Sequence, residues 1–361
     1  MSNPSIEETL AGIDAATAAA ELAAQPAERQ PLLDQSQMKR LPWFGITELP
    51  DGEYTNAKTL LEAAHLDWRV EEAPLFRRPK LIPVTSTNNE VNPPVSITVM
   101  APNVDGEMIQ AEDVKDIVRD TDGFVLGQVG SKYVPVQNWE AFQFADNLVD
   151  MANARWIAAG EQYGGRAVFG LMELHDTPVQ VAGEDPFGLY MMVRTSHNGA
   201  TGVQVSVINV RLRCQNMVNL ALAGATSKWS FRHVGDLQGQ ISKARAALNM
   251  THTYADEFSR EMEKMIDLQL SRDGAIDLMD RMFEKESDTK RPKMVDGVMR
   301  AWDRDEINGY AGTGFGLINA VTDYFDHDVR RRSATSRFQE QTDGEGARYR
   351  NRVHAALLER V

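Results

Sequence analysis

The stretch Gln204–His233, "QVSVINVRLRCQNMVNLALAGATSKWSFRH", decides how the chain folds. Val203, Val205 and Val207 share one side of an extended chain, whereas Val210, Leu212 and Cys214 fall on the opposite parity. A strand over 202–213 therefore changes its apolar side near Ile208-Asn209. Two readings account for this. A β-bulge restores the core face and turns Arg211 and Arg213 outward, side by side. The competing reading is a strand that passes from one sheet to another. "QNMVNLALAGA" then reads as a helix over 214–224 with Gly224 placed to end it. "SKWSFRHV" reads as a further strand.

Upstream, "RAVFGLMEL" (166–174) and "FGLYMMVRTSH" (187–197) are strands, and "HNGATG" is the turn before the third strand, with Asn198-Gly199 as its strongest signal. The order is β-β-β-α-β with short turns, so the fold class is α+β with an antiparallel sheet. Further upstream, Thr55 caps a short helix with Leu60, Leu61 and Ala64 on its apolar face, and "WRVEEAPLF" alternates as a strand. The stretch "RRPKLIPVTSTNNEVNPPVSITVMAPNVDGE" reads as extended pieces and a loop. "DIVRD" and "FVLGQVG" form a hairpin around Thr121-Asp122-Gly123, "KYVPVQN" is extended, and Asn138 caps a helix. Downstream, Ala244, Leu248, Thr251, Phe258, Met262 and Met265 recur at helical steps through one long helix, 237–270. Shorter helices follow to the C-terminus. The expected organisation is a disordered tail over 1–40, an α+β core over 41–235, and a helical region over 236–361 packed on that core.

Composition is that of an ordinary globular chain, with 42% hydrophobic and 25% charged residues. A single cysteine makes no internal disulfide and no cysteine zinc site. The N-terminal stretch lacks a basic region and a continuous apolar run, and no segment is apolar enough to span a membrane. A cytoplasmic protein without membrane contact is expected.

Net charge is −14, yet Met191–Arg245 holds seven basic residues (Arg194, Arg211, Arg213, Lys228, Arg232, Lys243 and Arg245) against one acid, Asp236. Basic residues on strands with interleaved aromatics suit a groove for single-stranded nucleic acid, where cations follow phosphates and rings stack on bases. On that reading Arg194, Arg211, Arg213, Lys228, Arg232 and Lys243 are phosphate contacts and Trp229 stacks. The competing reading is a solvated face paired with acids from elsewhere. Trp229 and Phe231 share a parity, which also suits a core position. "GTGFG" at Gly312–Gly316 lacks the Lys-Ser/Thr of a phosphate loop and reads as the start of a helix. Asp323 and His327 stand four apart on a helix, a spacing compatible with a metal, but no third ligand is evident. No catalytic set stands out, so no enzyme, metal or cofactor is expected.

Three segments together resemble the phage/plasmid-like family called "domain of unknown function" nine-three-two: "DTDGFVLGQVGSKYVPVQNWEAFQFADNL", "RTSHNGATGVQVSVINVRLRCQNMVNLAL" and "GTGFGLINAVTDYFDH". The tail of about 40 residues and the Pro/Asn-rich insert near 79–104 are additional to that pattern. The resemblance implies a bacteriophage or plasmid gene and supplies no activity. By architectural analogy with single-strand annealing proteins, the expectation is a homo-oligomer that binds single-stranded DNA during recombination. A self-assembling scaffold or host-interaction protein is the alternative.

Overall fold

The computed structural model describes residue 54 and residues 56–361, apart from 91–92, 183–184, 212–215, 218–219, 221–227, 232–236, 305–306 and 308. Arg213, Cys214, Gly224, Arg232 and the tail expected over 1–40 lie outside these residues. The described residues belong to one compact unit, Gln35–Val361.

Helix α1 (Ala57–Ala63) starts one residue later than read. Asn56 is its cap, and its Oδ1 accepts the Thr59 N–H at 2.9 Å. Strands β1 (Val70–Arg77), β2 (Leu81–Asn88), β3 (Val95–Pro102), β4 (Ile109–Arg119) and β5 (Val125–Gly130) follow. β1, β4 and β5 form a three-stranded antiparallel sheet, and β2 pairs with β3 as a separate two-stranded ribbon. Gly123 takes the positive φ of +69° that the β4–β5 turn needs. "KYVPVQN" forms no strand. Helix α2 (Asn138–Phe142) is capped by Gln137, one residue before the expected Asn138. The Gln137 side-chain amide makes two hydrogen bonds of 2.9 Å to the Val70 backbone and so ties the helix to β1. A 3-10 turn leads into α3 (Asn147–Met151).

The central sheet has β6 (Ala154–Gln162), β7 (Ala167–Val181), β8 (Asp185–Ser196), β9 (Val203–Arg211) and β10 (Lys228–Phe231), all antiparallel, in the order β10-β9-β8-β7-β6. β9 pairs in register with β8 from Arg194↔Gln204 to Phe187↔Arg211. The bulge expected at Ile208-Asn209 is therefore not formed, and Arg211 does not turn outward. The change of apolar parity has a simpler cause. β9 is buried on both faces from Val205 to Arg211, so apolar residues occupy both parities.

Helix α4 (Leu237–Asp267) covers one face of the sheet, with Phe258 packed edge-on against Phe187 at 5.0 Å. Helices α5 (Arg272–Met282), α6 (Arg291–Trp302) and α7 (Gly314–Asp323) follow, then a π turn at Tyr324–Asp328, α8 (Ala334–Thr342) and α9 (Glu345–Leu358). The Thr313 hydroxyl caps α7 by accepting the Gly316 N–H at 3.0 Å, so "GTGFG" starts a helix as read. Phe338 of α8 covers Phe169 on the other face, with ring centroids 4.8 Å apart. Most of the helix expected over 214–224 lies outside the described residues. Those that are described are not helical: Met217 bridges Val210, and Leu220 exchanges hydrogen bonds of 3.1 and 2.8 Å with the Tyr254 hydroxyl. No described helix is long and apolar enough to cross a membrane.

Candidate interaction surfaces

The cations expected on one open track are distributed differently. In an antiparallel pair, directly opposed residues share a face. Arg211 opposes Phe187, on the side covered by α4. It is fully buried, its Nε donates to Asp185 Oδ2 at 2.7 Å, and its guanidinium lies over the rings of Tyr310 and Phe315. A buried guanidinium with a carboxylate partner is not available to a phosphate, so Arg211 is a core residue. Trp229 opposes Val205 on the same covered side, where it is half-buried and packs against the core. Lys243 is half-buried near the start of α4.

Arg194 and Lys228 do meet, on the opposite face. Arg194 Nη1 and Lys228 Nζ each lie 2.9 Å from one oxygen of Asp343, in the turn between α8 and α9. Burial alone would raise the Asp343 carboxyl. The hydrogen bond and charge of Lys228, with the charge of Arg194, outweigh this and hold its pKa below the usual range.

The segments that resemble known sequences meet at two joints. At the first, Asn138 Nδ2 donates to the Leu66 carbonyl at 2.8 Å, leaving Oδ1 as the acceptor for His197 Nε2–H at 2.9 Å. His197 is fully buried, and burial pushes its pKa down to about 4. Beside it, a Cβ on Gly127 would lie 2.4 Å from Asn198 Cα, so only glycine lets the 198 turn sit on β5. At the second joint, Asn216 Nδ2 donates to the Asn319 carbonyl at 3.3 Å while its Oδ1 accepts from His327 at 3.0 Å. The Met217 N–H donates to Asp326 at 2.8 Å. Burial raises the Asp326 carboxyl to about 6 against the opposing pull of Arg350 and the Met217 amide. Both joints fasten remote segments together, and their polar atoms face one another.

Asp323 and His327 are 3.9 Å apart, but Arg304 holds Asp323 and also reaches Asp328. Asp326 points to Met217 and Arg350 instead. Asp120 accepts the Arg69 N–H and Asp122 pairs with Arg119, so these acids do not join them. Among the described residues, no three His, Cys, Asp or Glu converge as a metal-ligand set.

The surface that sequence reading missed is the β2–β3 ribbon. Ile82 opposes Ala101, Val84 opposes Val99, Ser86 opposes Ile97 and Asn88 opposes Val95, giving one largely apolar face. On the other face, Thr85 and Thr98 hydroxyls are 2.7 Å apart and those of Thr87 and Ser96 are 2.8 Å apart. Asn103 anchors the base by donating to the Pro79 and Glu107 carbonyls, both at 2.9 Å. Val84, Val95, Ile97 and Val99 are between 44% and 62% exposed. From Leu81 to Val104 the sole charge is Glu90. The strands are the extended pieces read in the sequence, but the pairing that sets the period-two run Val95-Ser96-Ile97-Thr98-Val99 beside Val84 as one apolar face was not read.

The family model that matches is described as "Domain of unknown function (DUF932)" and spans residues 125–350, so the ribbon lies outside the match. No curated protein and no solved structure matches the chain.

Proposed function

We propose, from the premise that this chain belongs to the Domain of unknown function (DUF932) family, that it is a non-catalytic assembly protein in which a second copy docks on the apolar face of the β2–β3 ribbon. The observation that carries this reading is the exposed row Val84, Val99, Ile97 and Val95 on an uncharged ribbon. Natural sheet edges are normally blunted by charges or bulges. This ribbon has Glu90 near its tip, Lys80 before its first strand, and no charge on either strand. A partner recognised through charge has nothing to pair with there. A second ribbon offers the same apolar face in a self-complementary, two-fold arrangement.

Magnitudes make the contact reversible. Full burial of a valine or isoleucine is worth about 1.5–3 kcal/mol, so closing over four half-exposed side chains gives about 4 kcal/mol per copy and about 8 for the pair. Association costs about 4–15 kcal/mol. At the low end of that cost the ribbons alone leave about 4 kcal/mol, a dissociation constant near 1 mM, and association in the micromolar range requires neighbouring surfaces to join in. Single-stranded nucleic acid becomes the weaker reading because Arg211 is buried and Trp229 is half-buried against the core.

The test is sedimentation equilibrium of the full chain from about 5 to 500 μM, beside the Ile97→Lys/Val99→Lys variant. Both side chains are exposed in the monomer, so the substitutions leave its core intact. Mass that rises with concentration in the native chain and stays monomeric in the variant supports the reading. A native chain that is monomeric throughout, or a variant that associates equally well, overturns it.

A further inference from the structure

The face of the central sheet opposite α4 ends in a polar corner. Arg194 opposes Gln204, Gln204 opposes Ser230, and Lys228 opposes Ser206, so these side chains project from one face across three strands. Asp343 reaches this corner from the α8–α9 turn and takes Arg194 on one carboxylate oxygen and Lys228 on the other. Two cations from non-adjacent strands, each on its own oxygen, reproduce the way Arg and Lys hold a phosphate group. Donors are left over: Arg194 Nε is buried without a hydrogen-bond partner among the described residues, and Ser230 is exposed. β10 is the edge strand, so an extended ligand can run along it.

We infer that this corner is a seat for an oxyanion of the phosphate class, held closed by Asp343 as an intramolecular stand-in that the ligand displaces. The Lys228 side chain is 52% exposed, that of Asp343 33% and that of Arg194 16%. Surface ion pairs are worth about 0–1 kcal/mol each, so releasing Asp343 from two of them costs the ligand up to about thirty-fold in affinity. A free phosphate dianion carries more charge than the carboxylate it replaces, a backbone phosphodiester carries the same, and Ser230 and Gln204 add polar contacts. The ligand is either a free phosphate group or the backbone of a single-stranded nucleic acid, and the two have distinct signatures.

The experiment uses the full chain, with Asp343→Asn and Lys228→Gln variants and a circular-dichroism melt of each. Two probes are titrated at 25 to 200 mM salt: a labelled oligothymidylate by fluorescence anisotropy, and inorganic phosphate by thermal shift. The seat predicts binding of at least one probe. Asp343→Asn tightens it about five-fold, and Lys228→Gln weakens it about ten-fold and lowers the oligonucleotide salt slope by about one. Phosphate that binds and competes with the oligonucleotide marks a small-anion site. An oligonucleotide that binds without such competition marks a backbone site. If Asp343→Asn melts early, Lys228→Gln decides alone, since Lys228 is half-exposed on an edge strand. No binding of either probe at the lowest salt, or binding that folded Lys228→Gln leaves unchanged, overturns the inference. Neither outcome bears on the ribbon, which lies outside this sheet.

Discussion

Replacing Arg211 with methionine separates an inward from an outward side chain. The guanidinium and Asp185 are both fully buried, 2.7 Å apart. Taking away the cation leaves a carboxylate in the interior with its charge uncompensated, and removing one partner of a buried pair costs about 3–5 kcal/mol. Part of the loss is packing, because the guanidinium also lies over Tyr310 and Phe315 at 5.4 and 5.6 Å. Urea unfolding followed by tryptophan fluorescence measures the difference, and a melt of a unit this large should move by about 6 °C for about 4 kcal/mol. Arg211→Met/Asp185→Leu replaces both charges with apolar groups and should recover most of the loss. Arg211→Lys should fall between, since an ammonium lacks the planar fork. A solvated Arg211 predicts a change under about 1 kcal/mol and no rescue by the double variant. That result would refute the inward assignment and restore Arg211 as a candidate for ligand contact.

Further substitutions test the joints and the core. His197 titrates near 4 when folded against 6.5 ordinarily, so its neutral form stabilises the fold above pH 6.5, and that contribution is lost as pH falls from 6.5 through 4. Urea midpoints at pH 7.5 and 4.5 should differ by about 2–3 kcal/mol more in the native chain than in His197→Gln, and equal declines would contradict this. Asp146 shows the opposite sign. Burial, opposed by hydrogen bonds from Trp156 and Ala57, raises its folded pKa to about 6, so its charge penalises the fold as pH rises from about 4 through 6. Asp146→Asn keeps an acceptor, so it should gain about 1–2 kcal/mol at pH 8, after discounting for partial exposure, and nothing at pH 3.5. A gain that does not depend on pH would defeat that explanation. Asn209 is fully buried, and its side-chain amide has no hydrogen-bond partner among the described residues. Asn209→Val should raise stability by about 1–3 kcal/mol in thermal melts, and a loss would show that the amide is satisfied. Gly127→Ala forces a Cβ to 2.4 Å from Asn198 Cα, where backbone must move. A loss of at least about 1–3 kcal/mol is expected, and an unchanged urea midpoint would show the 198 turn docked differently.

Strands 167–181, 185–196 and 203–211 and the long helix were legible because their signals are local: alternation, Asn198-Gly199, and apolar residues at helical steps. β6 was not read as a strand. "ARWIAAGEQ" is rich in small residues, and a register shift between Trp156 and Ala158 interrupts its alternation. In β9 double burial suggested the bulge, since a parity change in a doubly buried strand looks like a shift of face. The ribbon's strands were read as extended pieces, but the proline and asparagine around them hid their pairing into one apolar face. Arg211 was misplaced for a different reason. Arg211, Arg194 and Lys228 were read as a group because they are close in sequence, while their partners Asp185 and Asp343 lie up to 149 residues away. A local charge count carries no information about which remote carboxylate folds back onto it.

That distance answers why an acidic chain keeps a basic centre. Arg211 takes its acid from the neighbouring strand within the sheet, and Arg194 and Lys228 take theirs from the turn between α8 and α9. The first arrangement fixes a core, because both partners are out of water and neither can leave without stranding the other. The second closes a surface corner with a carboxylate whose hold is weak enough to be exchanged. Burial alone separates the two roles. Arg211 is committed to the fold, and the exchangeable pairing with Asp343 belongs to Arg194 and Lys228. The Arg211→Met and Lys228→Gln variants should therefore part company: the first loses stability, while the second keeps stability and changes only what the corner holds.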